Sequence, residues 1–230
     1  MDTASEQFRS ALTGEWKNLI LEAGADFVYF TDISSLPEEA TEGFDCAVLF
    51  GKALSREYLR AVRDGIKPKT KEIFNTERKM DALSEKLAAK LNEAGYKSVG
   101  KLKSGQLPHK TVALRAGLGF IGKNNLLVTP EYGCALMLGK VLTQAPFITS
   151  YEPPKLPQCG SCRVCTEACE PGALLGKEWS IRRRELSPIR PKYRYFRTLV
   201  RFLSCHTTVF LRQRNTRLHE NLGILGASQF

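Results

Sequence analysis

The chain has 230 residues, of which 43% are hydrophobic and 25% charged, which is ordinary for a globular protein and enough to bury a core. That composition excludes a disordered or collagen-like chain, and no apolar run reaches the roughly 18 residues of a membrane span. The formal net charge of +10 is unevenly spread: residues 1–181 hold 23 Lys+Arg against 22 Asp+Glu, whereas residues 182–230 hold 11 against 2.

The first residues, MDTASE, are polar and acidic, so no secretory signal is expected and a cytoplasmic setting is. In that setting the seven cysteines are expected as thiols, metal ligands or catalytic groups, not as a disulfide framework. Residues 4–23 read as an amphipathic helix with Phe8, Leu12, Trp16, Leu19 and Ile20 at near-helical spacing, stopped by Gly24. Residues 26–31 are short and β-rich, and residues 46–50 read as a second buried strand, with a loop at 34–42 between them. Helices are expected at 55–64 and 70–94. The second is the clearest, with Ile73, Met80, Leu83, Leu87 and Leu91 on one face and Gly95 as its end. A short strand at 96–101, a helix at 109–116 ending at Gly117, and strands at 126–129 and 134–143 joined by a turn at 130–133 complete the region. Such alternation predicts an α/β or α+β layered domain over 1–150. Three prolines at 151–158 mark a linker.

A cysteine run follows: Cys159, Cys162, Cys165 and Cys169 stand at C-x2-C-x2-C-x3-C spacing. Iron–sulfur clusters are held by cysteine thiolates, and this is the bacterial ferredoxin-type spacing. Three thiolates two residues apart wrap a tight loop around one corner of a cubane, and the small Gly160 and Ser161 let backbone N–H groups approach the sulfurs. Zinc prefers two ligand pairs with a spacer between them, which a four-cysteine run within eleven residues fits poorly. The usual run ends Cys-Pro, but here it reads Cys169-Glu170-Pro171, and no second run follows. Cys205 is the only cysteine beyond it. Cys169 therefore either closes a single cluster or lacks its expected one. Cys46 and Cys134, in apolar segments, read as small buried hydrophobes.

Upstream, Gly117-Leu-Gly119-Phe-Ile-Gly122-Lys123-Asn124 satisfies G-x-G-x-x-G and nearly a P-loop. Both nucleotide motifs need a strand before and a helix after, and the order here is reversed. The longer string RAGLGFIGKNNLLVTPEYG, followed by the cysteine run, resembles the epoxyqueuosine reductase family and the wider set of reductive-dehalogenase-like iron–sulfur proteins. The resemblance spans roughly residues 107–176. It implies a nitroreductase-like α/β domain over 1–150 that holds a corrinoid, cobalamin, followed by a ferredoxin-like 4Fe-4S segment over 151–181. It places Arg115, Gly117, Gly119, Gly122, Lys123 and Asn124 along the cofactor pocket and Cys159, Cys162 and Cys165 on the first cluster, with Cys169 as the fourth candidate ligand. Glycines there would allow close approach to a large ligand. The chain departs from the family's pattern in lacking a carboxylate at Lys101-Leu-Lys103-Ser-Gly-Gln, where the family has an acidic proton donor. It also lacks the second cysteine run and the C-terminal helical repeats. His109, after Pro108, is a candidate proton donor, corrinoid contact or helix-start residue.

Residues 182–230 interleave arginines with Tyr193, Tyr195, Phe196, Phe202 and Phe210, the composition of a nucleic-acid surface or a membrane-surface helix. The abrupt change near residue 181 also fits a rearranged or frame-shifted, disordered end. The function expected is an iron–sulfur oxidoreductase that takes electrons from a donor such as ferredoxin or flavodoxin and passes them through a 4Fe-4S cluster to a corrinoid. The alternatives are a ferredoxin-like electron carrier and an RNA-binding protein with a structural cluster.

Overall fold

The computed structural model describes residues 3–64, 66, 71–100, 107–153, 159–167, 169 and 172–177. The basic segment 182–230, Cys205 and the segment 101–106 lie outside the described residues. The chain runs α1 (Thr3–Glu22), β1 (Phe27–Asp32), α2 (Glu38–Thr41), β2 (Cys46–Ala53), α3 (Arg56–Arg63), α4 (Glu72–Glu93), β3 (Ser98–Val99), α5 (His109–Arg115), β4 (Phe120–Ile121), β5 (Leu127–Val128), β6 (Leu136–Thr143) and α6 (Val164–Glu167). The mixture is α+β, as the alternation predicts. No described helix is long and apolar enough to cross a membrane.

The main sheet has the order β1-β2-β6-β3, and every pairing is antiparallel. Its centre is the β2–β6 ladder, from Cys46 opposite Thr143 to Ala53 opposite Leu136. Side chains alternate across a strand, so β2 feeds two cores. Cys46, Val48 and Phe50 pack with Trp16 and Ile20 of α1 and with Met80, Leu83, Leu87 and Leu91 of α4. Ala47 and Leu49 face the other way, toward Val112 and Ala113 of α5 and Ile121 and Leu127 of the small sheet. A Cβ on Gly139 would stand 2.4 Å from the Phe50 ring and 3.1 Å from the Met80 carbonyl oxygen. A glycine there lets α4 lie close on the sheet.

Several expectations are adjusted. Phe8 points to solvent, 55% exposed, because α1 buries only the turns around Trp16 and Ile20. The loop at 34–42 holds the single turn α2. The strands expected at 126–129 and 134–143 go to different sheets. β6 enters the main sheet, while β5 pairs with β4, Phe120 opposite Val128 and Ile121 opposite Leu127. The turn between them closes through paired backbone bonds of Thr129 and Gly133. The expected linker is docked at its start: Ser150 bridges Thr31 and Glu152 bridges Ala116.

Candidate iron–sulfur site

The glycine-rich segment begins at the end of α5. Gly117, at φ +64°, donates to the Leu114 carbonyl, and Leu118 donates to Ala113. This is a Schellman end, whose left-handed residue favours glycine. Arg115 lies just before it. Its Nε donates to the Asp32 carbonyl at 2.8 Å and its guanidinium to Ser35 Oγ at 2.8 Å. The guanidinium also stacks 4.5 Å from the Tyr151 ring centroid. The Arg115 carbonyl accepts the Glu152 N–H. Asp32 is held below the usual carboxylate range, first by hydrogen bonds from Ser34 and then by the Arg115 charge. Arg115 thus ties β1 and α5 to the segment that leads into the cysteine run.

The glycines are explained by packing. A Cβ on Gly117 would stand 2.2 Å from Glu152 Oε2, and one on Gly119 would stand 2.1 Å from the Val128 carbonyl oxygen. The first keeps room for the docked 150–152 segment, and the second lets the β4–β5 hairpin close. On the side a Cβ would take, both glycines are packed against protein.

The hairpin tip is a three-residue loop. Asn125 N donates to the Gly122 carbonyl, Gly122 N donates to Leu126, and Asn125 sits at φ +59°. A type I turn followed by one left-handed residue has this form. Gly122, Lys123 and Asn124 each meet a cysteine or the cysteine loop. Beside Gly122, a Cβ would stand 3.6 Å from Cys159 Sγ. Lys123 Nζ donates to the carbonyls of Gly160 and Cys162, at 2.6 and 3.1 Å. Asn124 Nδ2 donates to Cys134 Sγ at 3.5 Å, while its Oδ1 accepts from Leu126 N.

The cysteine loop is itself turned, with Cys162 N donating to the Cys159 carbonyl, and α6 follows as one turn. Cys159 and Cys162 are partly exposed, while Cys165 and Cys169 are buried, and the described cysteines form no disulfide. Burial raises the Cys159 thiol. The Lys123 N–H and charge oppose that rise, and the neighbouring Cys165 and Cys162 add to it. Among the described residues no group of three or more His, Cys, Asp or Glu is drawn together as for a metal ion. The donor chemistry is all thiol, on one loop, with Lys123 Nζ on two of its carbonyls. That fits an iron–sulfur cluster, whose potential responds to hydrogen bonds on its sulfurs.

Arg115, Gly117 and Gly119 hold the docked segment and the hairpin, and Gly122, Lys123 and Asn124 lie against the cysteine loop and Cys134. His109 opens α5 after Pro108, which makes no side-chain cap. It adjoins the segment 101–106, outside the described residues. Sequence reasoning missed Cys134 as part of this site. It lies on a separate segment with no regular spacing from the run, so only folding brings it near.

No family model matches the chain. A stretch of 99 residues is 41% identical to an epoxyqueuosine reductase of Listeria monocytogenes, covering 43% of this chain and 25% of that protein. The match therefore spans about a quarter of the relative's length. Among solved structures, an epoxyqueuosine reductase bound to an epoxyqueuosine-modified tRNA-Tyr stem loop superposes with a TM-score of 0.52 at 21% identity, covering 76% of this chain and 56% of that one. A reductive dehalogenase, described as suggesting a mechanism for B12-dependent dehalogenation, superposes at 0.53 and 15% identity, covering 84% and 34%. The chain shares their fold and resembles epoxyqueuosine reductases in sequence.

Proposed function

We propose that the chain is an iron–sulfur reductase of the kind its relatives represent, with a 4Fe-4S cluster held by Cys159, Cys162 and Cys165. The observation that carries this reading is the hairpin tip closed on the cysteine loop, with Lys123 Nζ on two loop carbonyls and Cys159 Sγ beside Gly122. A cluster bound there supplies one-electron transfer. The chain's own residues do the rest. The cysteines release protons to bind iron as thiolates, Lys123 places positive charge beside an anionic group, and the glycine-rich segment anchors the loop to the α/β body. The domain reading follows: a nitroreductase-like body over 1–150 and a ferredoxin-like segment over 151–181. Electrons would come from a donor of the ferredoxin or flavodoxin class. A corrinoid is implied by the resemblance, which places Arg115, Gly117, Gly119, Gly122, Lys123 and Asn124 along its pocket, and no step is assigned to it.

The test is anaerobic reconstitution of the full chain with iron, sulfide and cobalamin, followed by iron, sulfide and cobalt counts. About four irons per chain, lost in Cys159→Ser, support the cluster. Absence of iron in the unmodified chain overturns it. Cobalt retained with the iron favours a corrinoid-dependent reductase, and iron without cobalt favours the electron carrier.

RNA is the proposed partner of residues 182–230, whose arginines and aromatics suit phosphates and bases. Affinity for a tRNA stem loop that falls steeply with salt and is lost on removing those residues is the expected result. Affinity unchanged by the removal counts against it.

A further inference from the structure

A cubane cluster takes four thiolates, and the tight loop supplies three of them at Cys159, Cys162 and Cys165. Sequence spacing offers Cys169 as the fourth. In the structure the Cys169 backbone closes its own turn, its N–H donating to the Thr166 carbonyl and its carbonyl accepting from Gly172 N, which leaves its thiol as a rival to be tested. A different thiol stands at the hairpin tip. Cys134 is buried, 8% exposed, at the entry to β6. Its sulfur accepts Asn124 Nδ2 at 3.5 Å. The same asparagine's Oδ1 lies 2.8 Å from the point where a Cβ on Gly122 would sit, and Cys159 Sγ lies 3.6 Å from that point. Cys134 and Cys159 therefore flank one three-residue turn. Cys165 and Cys159 both lie within electrostatic reach of Cys134, and Cys165 and Cys162 within reach of Cys159. Cys165 is buried too, 3% exposed.

We propose that Cys134, contributed by the α/β body, is the fourth ligand of the cluster that Cys159, Cys162 and Cys165 hold. The inference rests on the cluster reading given under Proposed function. As the Cys134–iron bond forms, the thiol proton leaves to solvent and the thiolate replaces another ligand on that iron, a ligand exchange that leaves the oxidation state of the cluster unchanged. Such a ligand would lock the cysteine segment onto the sheet, joining the body to the loop through the metal as well as through the hairpin tip. It would also relieve the chain of any need for a second cysteine run to complete this cluster.

The experiment compares the full chain with Cys134→Ser, Cys169→Ser and Cys159→Ser, each reconstituted anaerobically with iron and sulfide. Circular dichroism checks the fold. Iron and sulfide counts and the EPR spectra of oxidised and reduced samples are the readouts. Cys134→Ser is expected to lose about one iron in four and to show the oxidised-state EPR signal of a three-iron cluster. Cys169→Ser is expected to keep the full iron count and the spectrum of the unmodified chain. A full count in Cys134→Ser, or loss of the fourth iron in Cys169→Ser, overturns the proposal. If Cys134→Ser does not fold, Cys169→Ser decides by itself: a full count supports the proposal and a missing iron overturns it. Failure of the underlying cluster reading looks different. The unmodified chain then takes up no iron, or Cys159→Ser takes up as much as the unmodified chain does.

Discussion

Lys140 lies in the middle of β6, opposite Leu49, and is 1% exposed. A lysine between apolar strand residues would ordinarily mark a solvent-facing position. Here the opposite face is covered by α5, and its amine donates to the Leu107 carbonyl at the entry to that helix. Burial pushes its pKa down to about 8, against a partial rise from Glu42. The unfolded lysine keeps its proton up to about pH 10.4. Between about pH 8 and that value the unfolded chain binds the extra proton, so this group's contribution to stability rises with pH. Below pH 8 the full penalty applies, on the order of 3 kcal/mol. Lys140→Met removes the titration. The gap in unfolding free energy between wild type and Lys140→Met is expected to shift toward wild type by about 3 kcal/mol from pH 7 to pH 10.5. Urea unfolding at several pH values measures it, and a gap that does not move with pH excludes the assignment.

Among the elements, long helices were the easiest to read. The spacing of Ile73, Met80, Leu83, Leu87 and Leu91 anticipates the buried face of α4, and Gly24, Gly95 and Gly117 stand where α1, α4 and α5 end. Helix periodicity and end signals are local, and each lies within a few residues. The β4–β5 hairpin has two residues per strand, too few to show alternation. Its glycines were legible as a motif but not in their purpose. The carbonyl that Gly119 accommodates belongs to Val128, nine positions on, and glycine for a ligand reads the same as glycine for a backbone. Asn125 at φ +59° sets the tip, and its carbonyl accepts Lys110 Nζ at 2.9 Å. Asn125→Val forces a β-branched residue into the left-handed region and is expected to cost about 1–2 kcal/mol. Asn125→Gly is expected to cost little. Thermal unfolding and iron uptake of both variants test the role of the tip. Equal stability and equal iron uptake in the two would mean that the turn does not set the clamp.

At the scale of the molecule, two contacts carry the cysteine segment. One is the 150–152 stretch against β1 and α5, with Glu152 on the Arg115 carbonyl and Ser150 exchanging backbone bonds with Phe30 and Asp32. The other is the hairpin tip on the cysteine loop. A group that binds only the folded chain stabilises it by mass action, about 2.7 kcal/mol at a hundredfold excess over Kd. In a chain of this size that corresponds to a rise of roughly 5–10 °C in Tm. Iron and sulfide loading under anaerobic conditions is expected to give such a rise in the unmodified chain and none in Cys159→Ser. A rise of the same size in both would show that the metal acts elsewhere.

Residue order alone determined the layered α+β class and the long helices with their ends. Each rests on local periodicity and local end signals. The tertiary structure decided which atoms share the site. Cys134 is separated from Cys159 by 24 intervening residues, and Arg115 from Asp32 by 82, and no local pattern encodes either meeting. The sheet, by folding both faces into cores, brings the hairpin tip over the loop. It lays the hairpin of the glycine motif against the cysteine loop, with Lys123 Nζ on two of its carbonyls.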